Sequence, residues 1–257
     1  MLSESSDTHQ AFFSTRANEA TKVVNKQFSE FKGYFFLKEL NNRLLEENTR
    51  LKNELASNFI EPDSTRTNLV DSVVQSNKLQ KRKFTFLPAM VIGNTVTLPN
   101  NYIILERGEK QGVKKGMAVT SPSGIIGVVV DVSENVSKAM SLLHQNSRVS
   151  VMLKKDQAAG SLEWEGESPD ELTLKNIPKS STVKVGDSVV TSNYSANFPS
   201  NLMVGTVAAI EKESATNFYT LKIKPSARFY QLQVAYIIEN IRFQEQVLLE
   251  NKTPAKQ

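Results

Sequence analysis

Two stretches of this chain repeat each other, and that repetition constrains the fold more than any other feature. Val113–Val119 (Val-Lys-Lys-Gly-Met-Ala-Val) is echoed at an offset of 70 by Val183–Val189 (Val-Lys-Val-Gly-Asp-Ser-Val). Ile126-Gly127-Val128-Val129 is echoed at an offset of 78 by Val204-Gly205-Thr206-Val207, and the extra eight residues fall within Ser192–Met203. Each copy reads as a turn glycine, a strand, a loop, a glycine and a second long strand. Around them, Val149, Val151 and Leu153 alternate with Ser150 and Met152, and Tyr219, Leu221 and Ile223 alternate with Thr220, Lys222 and Lys224. This is the period of strands with one buried and one wet face. Pro122-Ser123-Gly124 is a hairpin turn onto Ile125–Val132. Two related small β-barrels of roughly 75 residues each follow, because closure removes exposed sheet edges. We expect them at 84–158 and 159–240, with a C-terminal tail at 241–257. A single larger sandwich is the alternative, and the repeat does not decide whether one barrel lends a strand to the other.

The N-terminal part has a different texture. After a flexible segment at 1–20, residues 21–57 contain Gly33 as their sole glycine and no proline. Leu37, Leu44 and Leu51 recur every seven residues. As d positions they put Tyr34, Asn41, Asn48 and Leu55 at a, the seam of a parallel two-stranded coiled coil in which buried Asn sets the register. Glu47 at g and Lys52 at the next e have the spacing that pairs across such a dimer. Upstream, Val24, Phe28, Phe31 and Phe35 continue the spacing one residue out of phase. The competing reading is one amphipathic helix lying on a globular domain. Pairing is preferred because the opposite face (Lys38, Arg43, Glu46, Arg50, Asn53) is polar. The helix ends near Ser57–Asn58, and a polar linker spans 58–83. There Lys78, Lys81, Arg82 and Lys83 form a basic cluster, read as a solvated turn because no aromatic is interleaved for nucleic-acid stacking.

Composition closes off several chemistries. The net charge of +4 on 257 residues argues against nucleic acid as a partner, and the absence of cysteine excludes thiol catalysis and Cys-ligated metal. His9 and His144 are the two histidines, too few for a multi-histidine centre. As a general base His144 would need a nucleophile and an orienting acid, for which Ser121, Ser123 and Asp131 are the candidates. No Gly-x-Ser-x-Gly motif supports that, so a structural histidine is preferred. The stretch Glu163, Glu165, Glu167, Asp170 and Glu171 invites a glycosidase or cation-site reading. A hairpin with a solvated face explains it better. The expectation is a non-enzyme with no cofactor and no metal. The first ten residues lack the basic and apolar regions of a signal peptide, and no window offers ~20 apolar residues for a membrane span.

One loop stands out as a candidate partner site. The insertion in the second copy carries Tyr194 and Phe198, and exposed aromatics on a rigid scaffold make good anchors. The competing reading, slightly preferred, folds both rings back to plug their own barrel.

The order of parts, together with Pro99–Val119 (Pro-Asn-Asn-Tyr-Ile-Ile-Leu-Glu-Arg-Gly-Glu-Lys-Gln-Gly-Val-Lys-Lys-Gly-Met-Ala-Val), Ser123–Val132 and Leu142–Ser150, resembles the bacterial rod shape-determining MreC family, most of all its Bacteroidetes forms. The resemblance implies a cell-shape scaffold at the periplasmic face of the inner membrane that organises peptidoglycan synthesis. It further implies a homodimer, with or without higher assembly, and contact with a class B penicillin-binding transpeptidase, MreD and, indirectly, MreB. The family pattern also has a membrane helix before the coiled coil. None is seen here, so the chain is expected to be a soluble portion or to have a misplaced start. A membrane-fusion-type transport adaptor, which also joins coiled helices to β-barrels, is the runner-up. Its helices usually form a hairpin, and one long helix precedes the β region here.

Overall fold

The computed structural model describes residues 39–60, 81–211 and 216–252. The chain divides into two units, Met1–Asn48 and Thr49–Gln257. In the first, the described residues 39–48 are helical, and helix α1 continues to residue 54. Arg43 and Glu39 pair at 3.3 Å and Arg50 and Glu54 at 2.9 Å, each four residues apart. Both pairs are exposed, so each adds only a few tenths of a kcal/mol, about 0.3–0.5. A 3₁₀ turn, Ala56–Asn58, follows the helix. The expected register residues Tyr34 and Leu37 lie outside the described residues, as do the 1–20 segment and Lys78.

The second unit is built from strands. β1 (Phe59–Ile60) pairs with β2 (Lys81–Arg82) within the expected polar linker. Then come β3 (Phe84–Asn94), β4 (Asn100–Leu105), β5 (Ala118–Thr120), β6 (Ile125–Val132) and β7 (Ser137–His144). Next are β8 (Val149–Leu153), β9 (Ala159–Glu163), β10 (Leu172–Pro178), β11 (Ser188–Thr191), β12 (Met203–Glu211) and β13 (Phe218–Pro225). β14 (Val234–Asn240) and helix α2 (Phe243–Lys252) complete the described chain.

These strands close into two six-stranded barrels. One has the order β14-β3-β4-β7-β6-β5 and the other β10-β13-β12-β11-β8-β9. The expected boundaries at 158/159 and 240 are therefore corrected. β8 belongs to the second barrel, and the first is closed by β14, which arrives after the whole second barrel. β14 pairs antiparallel with β3 from Val234↔Met90 to Asn240↔Phe84, and with β5 through Tyr236↔Thr120 to Ile238↔Ala118. In the second barrel β8 holds the equivalent place between β9 and β11. Helix α2 lies within the expected tail at 241–257.

The repeated glycines now have physical causes. Gly116 (φ 87°) and Gly186 (φ 92°) occupy the left-handed region that side chains disfavour. A Cβ on Gly127 would collide with the carbonyl of Met140, and one on Gly205 with that of Lys224. The motif records a turn and a close strand approach, each used once per barrel. Ile103, Leu105, Ile125, Ile126 and Leu143 fill the first core, and Leu162, Leu172, Leu174, Leu221 and Ile223 the second, all under 2% exposed. Among the described residues, no helix is long and apolar enough to cross a membrane.

Candidate interaction surfaces

The end of α1 is fastened to the first barrel by its polar side. The Asn53 side chain donates to the Phe86 carbonyl at 3.0 Å and accepts from the Phe86 N–H at 2.7 Å. It thereby satisfies a strand residue whose backbone groups point away from β14. Two residues on, Pro88 faces the same way with no N–H to leave open, a device that suits a strand edge. The Lys52 ammonium lies 5.7 Å from the Phe86 ring centre and 5.0 Å from that of Tyr236. Burial lowers its pKa, which fits a cation held by ring faces rather than by a carboxylate. Lys52 is thus seated on its own barrel, not extended as an e-position partner for Glu47.

This attachment turns the leucines outward. Leu51, two residues before Asn53 and so about 200° round the helix from it, is 49% exposed, and Leu55, just past the end of the helix, is 54% exposed. Leu40 and Leu44 are exposed as well. An amphipathic helix lying on its domain would bury such a row, so that reading is overturned for Leu51 and Leu55. Asn41 is exposed, and the Asn48 amide donates to the Leu44 carbonyl at 2.8 Å.

The insertion loop divides its two aromatics between the two expected roles. Phe198 is 2% exposed and Tyr194 is 77% exposed. Phe198 as an exposed anchor is therefore corrected: the loop bends it inward, with its N–H on Ser195 Oγ at 3.1 Å. Thr191 staples the loop base, donating from Oγ1 to the Pro199 carbonyl at 2.5 Å and accepting the Leu202 N–H at 2.9 Å. The loop also bridges the barrels, a role that sequence reasoning missed. Asn197 donates to the Gly116 carbonyl at 2.6 Å, and Asn240, at the end of β14, donates to the Ala196 carbonyl at 2.8 Å. The eight-residue length difference was the available signal, but it does not say what the added length touches.

Groups considered for catalysis are dispersed and satisfied. His144 is buried; its Nδ1 accepts the Asn146 N–H at 3.0 Å, which leaves the proton on Nε2, 3.2 Å from the Tyr102 hydroxyl. Burial lowers its pKa. Ser121 and Ser123 bond each other at 3.1 Å in their hairpin, and Asp131 pairs with Lys115 at 2.9 Å. None of the three meets His144. Glu163 and Glu165 do share a face, but as members of an ion network. Glu163 takes Arg148 at 2.8 Å and also meets Lys175, while Glu165 takes Lys175 at 3.2 Å and Lys222 at 2.9 Å. The hydrogen bond from Lys222 leads in lowering the Glu165 pKa to about 2. An ionised, neutralised carboxylate cannot serve as a glycosidase acid at neutral pH. Among the described residues no cluster of acids and histidines could hold a metal ion.

Two six-stranded barrels, the first closed by a strand that follows the whole of the second, are a specific architecture. The family model "Rod shape-determining protein MreC, barrel core" matches residues 91–239, more than half of the chain and the span from β3 to β14. The chain belongs to the MreC family. The cell shape-determining protein MreC of Listeria monocytogenes is 31% identical over 201 residues, covering 76% of this chain and 65% of that protein. A solved structure of MreC from Listeria monocytogenes superposes with a TM-score of 0.57 at 26% identity, over 82% of this chain and 92% of that one. The MreC fold is also seen in a complex between penicillin-binding protein PBP2 and MreC from Helicobacter pylori, with TM-score 0.51, 18% identity, and 62% and 99% coverage. The chain spans 38–65% of the length of four curated MreC relatives that it matches. MreC membership displaces the transport-adaptor reading.

Proposed function

We propose that this chain is a non-enzymatic scaffold of the bacterial cell-elongation machinery, working at the periplasmic face of the inner membrane and controlling shape by organising peptidoglycan-synthesis enzymes. Membership of the MreC family supports the role. The Helicobacter pylori complex supports a penicillin-binding protein as partner, and the family resemblance suggests that it is a class B transpeptidase, with MreD and, indirectly, MreB as further partners. The dispersal of His144, the serines and the carboxylates agrees with a protein that binds rather than catalyses.

The scaffold works as a dimer, paired in parallel through Tyr34, Leu37, Asn41, Leu44, Asn48, Leu51 and Leu55. The observation that carries this is the exposed leucine row on the face opposite Asn53, since apolar side chains at heptad spacing gain most by meeting a second copy. Tyr194 is the exposed aromatic of the insertion loop and the proposed contact for the transpeptidase. Leu44→Asp combined with Leu51→Asp puts charge into the seam. Light scattering should then report half the wild-type mass with unchanged β content; an unchanged mass contradicts pairing.

A further inference from the structure

Where the insertion loop meets the first barrel it encloses a cavity of about 160 Å3, bounded by the start of β3, the end of β14, the loop and α2. Its apolar lining is the pair Phe84 and Phe198, both buried. The rest is polar and contains Lys83 but no Asp or Glu. Among the described residues the Lys83 ammonium has no carboxylate partner, and it lies 5.1 Å from the Phe84 ring centre. Two of the lining acceptors are used: Asn240 Oδ1 takes the Arg242 N–H and Ser195 Oγ takes the Phe198 N–H. The lining offers donors in the Lys83 ammonium, the hydroxyls of Ser195 and Ser200, and the Asn193 amide.

We propose that this inter-barrel cavity is a binding site for a small oxyanion, a carboxylate or phosphate group. A cation and several hydroxyl or amide donors with no competing acid complement negative oxygen, and bonds to a charged acceptor are roughly twice as strong as neutral ones. Because Lys83 and Asn240 belong to the first barrel and Ser195 and Ser200 to the second, an occupant fastens one to the other. Occupancy therefore stabilises the two-barrel arrangement by mass action.

The test is the melting temperature of the intact chain, titrated with sodium phosphate and separately with sodium acetate. Chloride holds the ionic strength constant, so general screening does not change. Wild type should show a saturable rise with at least one anion, and the two arms distinguish phosphate from carboxylate. Lys83→Met should weaken that response about tenfold or more, Ser200→Ala should weaken it less, and Lys83→Arg should keep it. Lys154→Met, at an exposed site outside the cavity, should respond as wild type. A response in Lys83→Met equal to that of wild type, or no rise with either anion, overturns the proposal.

Discussion

The two barrels have the same six-strand plan but are closed in opposite ways. The second is contiguous, from β8 at Val149 to β13 at Pro225, and its closing strand is the first to be made. The first has its closing strand, β14, at the far end, so that Phe84 pairs with Asn240 across the whole of its sibling. The second barrel's ladder therefore forms largely from contacts near in sequence. The first must pay the entropy of a very long loop before β14 adds its bonds. The second barrel has all its strands in one contiguous segment; the first needs β14 to return from beyond its sibling before it can close.

The sharpest way to break this comparison is to end the chain at Gln233. Without β14 the first barrel loses two hydrogen-bonded ladders and buried Ala235, Tyr236, Ile237 and Ile238. That loss should exceed the whole stability of such a domain, about 5–15 kcal/mol. Amide exchange should show β3–β7 unprotected while β8–β13 keep their protection. Protection of β3–β7 in the truncated chain would mean that the first barrel closes some other way.

A smaller effect separates the two aromatics of the insertion loop. Phe198→Ala empties a buried ring site and should cost about 3–5 kcal/mol, read as a markedly earlier melt. Tyr194→Ala, at an exposed ring, should stay within about 0.5 kcal/mol while lowering transpeptidase binding. Equal stability losses would mean that both rings are structural, and unchanged binding in Tyr194→Ala would remove it as an anchor.

The smallest effect is electrostatic and belongs to the second barrel alone. The Glu165 pKa is depressed, chiefly by its bond to Lys222, from the ordinary carboxylate value of 4.5 to about 2. A depressed carboxylate contributes stability above its unfolded value and loses it as pH falls through the folded value. The loss should therefore run from about pH 4.5 down to about pH 2, with no change expected from this group near neutrality. Since Glu165 is over a third exposed, solvent screening leaves about 1 kcal/mol of this. Glu165→Gln should flatten that part of the stability curve, measured by urea unfolding at stepped pH. Lys222 shifts upward, chiefly from the same bond, so its contribution persists until strongly alkaline pH.

Much of this plan is legible from the residues, for reasons the structure makes plain. The repeat registers because Gly116 and Gly186 need the same left-handed turn, and Gly127 and Gly205 the same close approach to a neighbouring carbonyl. Backbone constraints of that kind leave a mark at fixed spacing. Strand exchange leaves none: β8 and β14 are both ordinary apolar runs, and nothing in Val234–Asn240 says which strand it will meet. Asn53 is a similar case. Its position on the polar face of a heptad helix looks like simple solvation, whereas its amide serves as a strand partner to Phe86. The split between Tyr194 and Phe198 was also unreadable, because two aromatics four residues apart in a loop have no periodicity to assign them faces.

The role proposed for this two-barrel chain is to organise wall synthesis without catalysing it. The most direct measurement images new peptidoglycan in cells depleted of the protein, using a fluorescent wall precursor and a wild-type control. The account predicts rounded cells in which incorporation continues but loses its elongation pattern, with rod shape restored by the wild-type chain and not by Leu44→Asp with Leu51→Asp. Depleted cells that keep their shape and labelling pattern would contradict it.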